Sequence, residues 1–309
     1  MKVVVTGGAG FIGGNLVRTL LARSEVTGVV VVDDLSTGSK ENLDGVAVSF
    51  FEGSVLDADL LAAACAGADA VVHLAALASV PGSVEDPLAC HAVTATGTVT
   101  VLEAARRAGG LHVVLASSAA VYGTNPTLPK HEDLRPEPAS PYAASKLAAE
   151  AYLLAAARCY DLPVLPFRFF NVFGPLQPAD HAYAAVVPAF VSAAMAGRPL
   201  TVHGEGRQVR DFTYVGSVCG VLADAAIRRV VSREPVNLAF GSHVSLLELI
   251  AELADVIGGP LEVRHTDSRP GDVPASQADD TRLRLLFPDA RPVPLRQGLE
   301  ETVAWFRTT

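Results

Sequence analysis

Short β-branched apolar runs alternate with longer alanine- and leucine-rich stretches along the first half of the chain. The runs predict parallel strands, because strands buried on both faces are apolar at nearly every position. The predicted strands cover residues 2–6, 26–33, 46–53, 69–75, 111–117 and 162–169, and helices are predicted near 11–23, 57–66, 86–109 and 141–160. This alternation predicts an α/β fold built on a doubly wound parallel sheet with right-handed crossovers.

Beyond residue 170 the alternation breaks up, and proline and glycine become frequent. Helices are predicted near 184–196, 214–230 and 245–257, and one strand near 235–239. We therefore expect a main domain over residues 1–170, which segments near 212–240 rejoin, and a smaller lobe over 171–309. No flexible linker or internal repeat separates them in the sequence, so the two are expected to be intertwined.

Composition narrows the possible partners. Half of the 309 residues are hydrophobic and 18% are charged, which is typical of a packed globular protein. A net charge of −9 without a basic run argues against nucleic-acid binding. Neither a signal peptide nor a stretch of about 18 apolar residues is present, so we expect no membrane contact. Four scattered cysteines and the absence of ligand spacing predict reduced thiols, a cytoplasmic location and no metal.

A glycine-rich turn follows the first strand in the segment VVVTGGAGFIGGNL. Gly7, Gly10 and Gly13 permit a tight turn and a close backbone approach at the start of the next helix. The free N–H groups and the dipole of a helix N-terminus bind a pyrophosphate. This segment therefore predicts a dinucleotide site.

Asp33 ends the second strand at the spacing of about 20 residues that is typical of a carboxylate bonded to the adenosine ribose. A carboxylate there repels a 2′-phosphate, and Asp34 adds to this repulsion. Lys40 is present, but no arginine directly follows the acid. NAD is therefore expected rather than NADP.

A second cluster of polar residues follows the fifth strand. Ser118 lies in SSAAVYG, at the carboxyl end of that strand, where such sheets bind ligands. Tyr142 and Lys146, in SPYAASK, are four residues apart and share one face of the next helix. Fold alone does not specify a reaction, but three such groups beside a dinucleotide indicate proton and hydride chemistry.

These motifs, taken in order with RFFNVFGP and RPGD, are similar to those of extended short-chain dehydrogenases. They resemble the NAD-dependent epimerase/dehydratase family, and within it the UDP-glucose and UDP-N-acetylglucosamine 4-epimerases, from residue 1 to about 305. The resemblance implies a Rossmann domain that binds NAD and a C-terminal lobe that binds a UDP-sugar. It also implies a homodimer formed through the helices near 86–109 and 141–160.

The same resemblance implies a mechanism. Tyr142 would take the proton from a sugar hydroxyl while hydride leaves the same carbon. The phenol's ordinary pKa of about 10 would be lowered by the ammonium of Lys146 and by the positive nicotinamide ring. Ser118 would bond the sugar oxygen, and Lys146 would also hold the nicotinamide ribose. His73, at the end of the fourth strand, is interpreted as a packed residue.

The resemblance also implies further contacts to NAD and to the substrate, at the positions that match those of the family. Those to NAD are Phe11, Ile12, Ser36, Ser54, Val55, Leu74, Ala75, Ala76 and Thr94, besides the glycines, Asp33, Tyr142 and Lys146. Those to the substrate are Ser118, Asn171, Val187, Arg210, Arg269, Asp272 and Ser276. Two positions depart from the family pattern, since Ser54 replaces an aspartate and Thr94 an asparagine.

The choice within the family depends on a few positions. Ala119 and Ala120 stand where the 4,6-dehydratases carry an acid, so a reversible oxidation at C4 is expected rather than loss of water. Ser276 replaces a bulky tyrosine and leaves room for a 2-N-acetyl group. Pro178 replaces an arginine that pairs with a uronate. The prediction is a UDP-hexose 4-epimerase; the alternatives are a UDP-glucuronate 4-epimerase, an NAD-dependent reductase and a non-catalytic NAD sensor.

Overall fold

A computed structural model describes residues 1–179, 184–267 and 275–308. The strands are β1 Lys2–Thr6, β2 Gly28–Asp33, β3 Ser49–Glu52, β4 Ala70–His73, β5 His112–Ser118, β6 Val164–Phe169, β7 Val172–Phe173, β8 Leu200–His203, β9 Val209–Arg210, β10 Thr213–Tyr214, β11 Val236–Leu238, β12 Val244–Ser245, β13 Val263–Thr266 and β14 Ala275–Ser276. The α-helices are α1 Phe11–Leu21, α2 Ala58–Cys65, α3 Val80–Glu85, α4 Pro87–His91, α5 Gly97–Arg107, α6 Pro141–Tyr160, α7 Val186–Met195, α8 Val215–Arg228, α9 Leu246–Ile257, α10 Thr281–Leu286 and α11 Leu295–Phe306.

Seven parallel strands form the central sheet, in the order β11-β6-β5-β4-β1-β2-β3. The strand order reverses beside β1, which is where open sheets of this kind bind nucleotides. The predicted fold class, a doubly wound parallel sheet of the Rossmann type, is confirmed. The strand expected near 235–239 is β11, which pairs with β6 at the edge of the sheet.

Alternate side chains of the central strands enter two separate cores. Val3 and Val5 of β1 pack with α1 and α8 on one face, and Val4 packs with α2, α5 and α6 on the other. Successive side chains of a strand point to opposite faces, so a strand buried on both faces must be apolar throughout. This requirement explains why the VVV runs of β1 and β2 signalled the fold.

The C-terminal segments add three small sheets, β7 with β10, β9 with β12 and β14, and β8 with β13. Leu200 and Val202 of β8 and Leu249 of α9 belong to the same buried cluster as Val3 and Val5. One apolar core therefore continues from the central sheet into the C-terminal segments.

The helix predicted over 86–109 is not uniform. Between α4 and α5, residues Ala92–Thr96 form a π-helical turn, and α3 precedes them where no helix was predicted. The continuous stretch Pro87–Arg107 has the length and a mean hydropathy of 1.2 that a membrane span would need, but half of that window is buried inside the fold. Its buried residues, such as Val101 and Ala105, pack in the core beside the sheet.

Candidate active site

A cavity of about 720 Å³ opens at the carboxyl ends of the central strands. Its lining includes the predicted cofactor residues Gly7, Gly10, Phe11, Ile12, Gly13, Asp33, Ser36, Val55, Leu74, Ala75 and Ala76. The predicted catalytic residues Ser118, Tyr142 and Lys146 and the predicted substrate residue Asn171 also line it. Residues as far apart in the chain as Gly7 and Asn171 therefore meet at one site.

The glycine turn is packed so closely that side chains are excluded from it. A Cβ on Gly13 would lie 2.0 Å from the carbonyl oxygen of Gly7, and one on Gly7 would lie 2.8 Å from the nitrogen of Ala75. Gly7 also has a φ of +69°, in the region that favours glycine. The turn thus brings bare backbone to the N-terminus of α1, which fits the pyrophosphate of a dinucleotide.

Asp33 lies at the end of β2, almost fully buried, and forms part of the cavity wall. Its carboxylate accepts hydrogen bonds of 2.9 Å from the backbone N–H groups of Ala9 and Leu35. Burial raises its pKa, although these two hydrogen bonds act in the opposite direction. The carboxylate is therefore fixed between the glycine turn and the next loop, as expected for a group that bonds ribose hydroxyls.

Lys40 does not supply a positive charge to this end of the cavity. Its ammonium forms an ion pair with Glu52 at 2.7 Å and lies 5.3 Å from the ring centroid of Phe50. A lysine already paired with a carboxylate is a poor partner for a 2′-phosphate. The arrangement fits NAD rather than NADP.

His73, at the end of β4, is buried and is a packed residue, as predicted. Its ring nitrogens bond to the hydroxyls of Thr6, at 2.6 Å, and Thr98, at 3.0 Å. Burial lowers the pKa of its imidazole to about 3, with the charge of Lys146 a smaller cause. The neutral ring ties the ends of β1 and β4 to α5.

Ser118, Tyr142 and Lys146 meet beside the end of β5. The ammonium of Lys146 donates a hydrogen bond of 2.7 Å to the carbonyl oxygen of Ala116 and lies 5.9 Å from the Tyr142 ring centroid. The hydroxyl of Ser118 accepts from the N–H of Ala120 at 3.1 Å and lies near enough to the phenol of Tyr142 to act against the rise of its pKa. A serine, a phenol and an ammonium thus share one wall of the cavity.

The pKa of Tyr142 differs from the expectation that it would be lowered. Burial raises the pKa of Tyr142, and the nearby Ser118 hydroxyl only partly offsets this effect. Burial also lowers the pKa of Lys146 to about 8. The expected lowering of the phenol pKa is not found in the protein alone, because desolvation of the phenol is the largest influence on it and raises the pKa.

Several predicted contacts lie outside the lining of the cavity. Ser54 uses its hydroxyl to accept from the N–H of Leu56, and Val187 is buried in the apolar core. Thr94 lies in the π-helical turn, where its buried hydroxyl has no hydrogen-bond partner among the described residues. Arg269 and Asp272 fall outside the residues that the structure describes.

Arg210 and Ser276 are neighbours on two paired strands, β9 and β14. They are linked to the cavity through Asp211, whose N–H donates to the carbonyl of Ser276 at 2.8 Å. The carbonyl of Asp211 accepts from the side-chain amide of Asn171 at 3.2 Å. Asn171 is the member of this chain of contacts that itself lines the cavity.

Sequence reasoning missed a buried ion pair behind the predicted catalytic residues. Arg168 of β6 and Glu150 of α6 lie 2.7 Å apart, and Glu150 also accepts from the hydroxyl of Ser117 at 2.9 Å. A signal was present, since a charged residue in an apolar strand or on the buried face of a helix requires a buried partner. The sequence did not identify which residue was the partner.

A glycine turn, a carboxylate at the end of β2 and a Ser/Tyr/Lys group on one cavity define a dinucleotide-dependent enzyme of the short-chain dehydrogenase type. The chain matches the model of the NAD-dependent epimerase/dehydratase family over residues 3–239. It is 40% identical to the UDP-glucose 4-epimerase of Mycolicibacterium smegmatis over 316 aligned positions, with 99% of each chain covered.

Solved structures are similar over the same length. A UDP-N-acetylglucosamine 4-epimerase from Methanobrevibacter ruminantium, in complex with UDP-N-acetylmuramic acid, superposes with a TM-score of 0.93 and 36% identity, covering 99% of this chain and 98% of its own. The UDP-glucose 4-epimerase of Thermus thermophilus, in complex with NAD, gives 0.87 and 37%, covering 99% of each. The chain belongs to the NAD-dependent epimerase/dehydratase family, and the predicted family and cofactor are confirmed.

Proposed function

We propose that the protein is a UDP-hexose 4-epimerase that inverts C4 of the sugar with NAD as cofactor. The observation that carries this proposal is that Ser118, Tyr142 and Lys146 share one cavity with the glycine turn. Ala119 and Ala120 follow Ser118, so the neighbouring positions supply no acid for the loss of water. The full-length similarity to named UDP-sugar 4-epimerases supports the same activity.

In this proposal Tyr142 is the base that removes the proton from the C4 hydroxyl. The nearby Ser118 hydroxyl favours the phenolate, and the sugar oxygen would take the place between these two groups. Lys146, held by the carbonyl of Ala116, would keep its positive charge near the phenol and bond the nicotinamide ribose. With NAD bound, the site would gain a hydride acceptor that oxidises C4 and later reduces it again.

Inversion also requires that the sugar turn over before it is reduced. We propose that the nucleotide diphosphate anchors the substrate while the sugar rotates, with Asn171, Arg210, Arg269 and Asp272 among its contacts. Guanidinium groups suit a diphosphate because they bind two oxygens at once. The small Ser276 would admit UDP-N-acetylglucosamine as well as UDP-glucose, and Pro178, which lines the cavity, offers no charge to a uronate.

The test supplies UDP-glucose, UDP-N-acetylglucosamine and UDP-glucuronate separately and measures the C4 epimer by chromatography. Epimer from either of the first two, without net NADH, is the expected result. Conversion of UDP-glucuronate alone would favour the uronate alternative. Steady NADH formation without epimer would indicate a reductase, and no reaction with any of the three would favour a non-catalytic NAD-binding protein.

A matched pair of variants tests the base. Tyr142→Phe removes only the hydroxyl and is expected to lower kcat by about a thousandfold or more while NAD still binds. Tyr152→Phe, at an exposed position on the same helix, is expected to leave kcat unchanged. Equal turnover by Tyr142→Phe and the wild type would refute the assigned base.

We also propose that two copies form a dimer through α4, α5 and α6. Leu88, Tyr152 and Tyr160 are 81%, 53% and 61% exposed on these helices, which is unusual for large apolar side chains. A second copy would cover them by symmetric packing. The free thiols of all four cysteines support the cytoplasmic location that we propose for the enzyme.

A further inference from the structure

The backbone of Tyr142 is bonded to a side chain from another part of the fold. Its N–H donates a hydrogen bond of 3.0 Å to Oγ of Ser83, in α3. The Ser83 hydroxyl itself donates to the carbonyl oxygen of Val80 at 2.6 Å. Because the hydroxyl proton is used by Val80, a lone pair of the oxygen faces the Tyr142 amide. Ser83 is only 2% exposed, so water does not compete for this contact.

The first turn of α6 explains why this bond matters. The first N–H groups of a helix have no partner within it. Pro141, at the first position, has no N–H to satisfy, and the N–H of Ala143 is bonded by the side chain of Ser140 at 3.2 Å. Tyr142 lies between them, and its N–H is satisfied by Ser83. The contact that holds the backbone of the proposed base therefore comes from outside the helix.

The segment before α3 forms part of the cavity. Leu77, Ala78 and Ser79 line it, and Ser79 also caps α3 by accepting from the N–H of Gly82 at 3.0 Å. A chain of direct contacts therefore runs from this wall through α3 and Ser83 to the backbone of Tyr142.

We propose that Ser83 is a positioning residue, which couples the Leu77–Ser79 wall of the cavity to the orientation of the Tyr142 phenol. This inference rests on the proposed epimerase function. A sugar that contacts the wall would hold α3 in place, and Ser83 would then keep Tyr142 directed at the C4 hydroxyl. Misplacement of a reacting group by about 1 Å can cost about a hundredfold in rate, so a single backbone contact at the base is sufficient to matter.

Three variants separate positioning from helix stability. Ser83→Ala removes the acceptor of the Tyr142 amide, whereas Ser83→Thr retains a hydroxyl. Ser140→Ala removes the other side-chain cap of the same helix but leaves the contact between α3 and α6. Turnover is measured per site that contains NAD, together with KM, Tm and the hydrogen-exchange rate of the Tyr142 amide in the full-length protein.

Ser83→Ala is expected to lower kcat by about ten- to a hundredfold with KM changed less than about threefold. The Tyr142 amide of Ser83→Ala should exchange its hydrogen at least about tenfold faster than in the wild type. Ser83→Thr should keep both kcat and this exchange rate close to those of the wild type. Ser140→Ala should lower Tm yet keep kcat within about twofold of the wild type.

Two results would overturn the proposal. One is that Ser83→Ala lowers kcat no further than Ser140→Ala does, when each variant is assayed at the same number of degrees below its own Tm. The other is unchanged exchange of the Tyr142 amide in Ser83→Ala, which can be measured without any substrate. If the wild type epimerises no UDP-hexose, the proposed function fails, whereas the exchange measurement still decides whether Ser83 holds Tyr142.

Discussion

Arg168 and Glu150 form an ion pair with 2.7 Å between Nη2 and Oε1, and both side chains are almost fully buried. Glu150 lies one helical turn beyond Lys146, and Arg168 directly precedes Phe169 and Phe170 of the cavity wall. The hydroxyl of Ser117, next to Ser118, joins the same carboxylate. This pair therefore fastens together β5, α6 and β6, the three elements that surround the proposed catalytic residues.

Removing one partner of this pair should destabilise the protein strongly. Glu150→Gln would leave the Arg168 guanidinium buried without a countercharge, a situation that typically costs about 3–5 kcal/mol. Urea unfolding measures the change. Glu103→Gln is the control, because Glu103 pairs with Arg106 and Arg107 on the surface and should matter far less. Equal unfolding midpoints for the two variants would contradict this prediction.

The glycine turn predicts a sharp difference between two glycine substitutions. Gly13→Ala places a Cβ 2.0 Å from the carbonyl oxygen of Gly7, so the turn must open. We expect the Kd for NAD, measured by calorimetry on protein stripped of cofactor, to rise at least about tenfold. Gly28→Ala is the control, because its Cβ meets no atom within 4 Å. Unaltered NAD binding by Gly13→Ala would show that this turn does not hold the cofactor.

Asp33 should determine the choice of cofactor. Asp33→Asn removes the negative charge but keeps an acceptor oxygen for the N–H of Ala9 or Leu35. We expect NAD to bind more weakly. We also expect the preference for NAD over NADP, as the ratio of their dissociation constants, to fall by about tenfold, because the repulsion of a 2′-phosphate is lost. Asp34→Asn, whose side chain bonds Ser36 on the surface, should have a smaller effect. An unchanged ratio of the two dissociation constants in Asp33→Asn would reject this assignment.

Asp211 should make stability depend on pH in mildly acidic solution. Burial raises the pKa of its carboxyl from 3.8 to about 6, although hydrogen bonds from Ala278 and Ser242 oppose this shift. The folded protein therefore binds more protons than the unfolded chain between pH 3.8 and about 6, and this carboxyl's contribution to stability falls as pH rises through that range. The loss is on the order of 3 kcal/mol.

The measurement compares the free energy of unfolding of the wild type and Asp211→Asn between pH 4 and 7. The difference between them should change by most of this amount and should level off toward pH 7, since asparagine does not titrate. Comparing two proteins cancels the other groups that titrate in the same range. Parallel curves for the two proteins would contradict the raised pKa of Asp211.

The exposed apolar side chains of the proposed dimer face give a fifth prediction. Leu88→Glu places a charge at the position where a second copy would pack, and a desolvated charge without a partner weakens association. Light scattering should show a monomer for this variant and a dimer for the wild type. Leu285→Glu, at a 77% exposed position on α10, is the control and should remain dimeric. A monomeric wild type would remove the basis of the dimer proposal.

Local sequence was sufficient for features that depend on near neighbours. The four-residue spacing of Tyr142 and Lys146 places them on one helix face, and the glycines of the turn are adjacent to the strand and helix that they join. The buried strands were visible because both of their faces are apolar. Ser118 could be placed at the ligand-binding edge because it ends a parallel strand, and Tyr142 because it begins the next predicted helix.

The sequence was less informative wherever the outcome depended on packing between distant segments. It predicted one helix over 86–109, whereas the chain forms α4, a π-helical turn and α5 there, with α3 just before them. It also gave no indication that Ser83 would bond the backbone of Tyr142, 59 residues away. Hydroxyls such as this are common along the chain, and only the packed fold selects which one meets an unsatisfied N–H.

By itself, therefore, the sequence determined the class of fold, the dinucleotide turn and the identity of the proposed catalytic groups, because each depends on residue type and short spacing. Tertiary structure decided how those groups are held and charged. It brought Glu150 to Arg168, and it placed Tyr142 in the wall of the cavity, where desolvation raises the phenol pKa. Pairing across the fold and exclusion of water are properties of the assembled core, which no local pattern specifies.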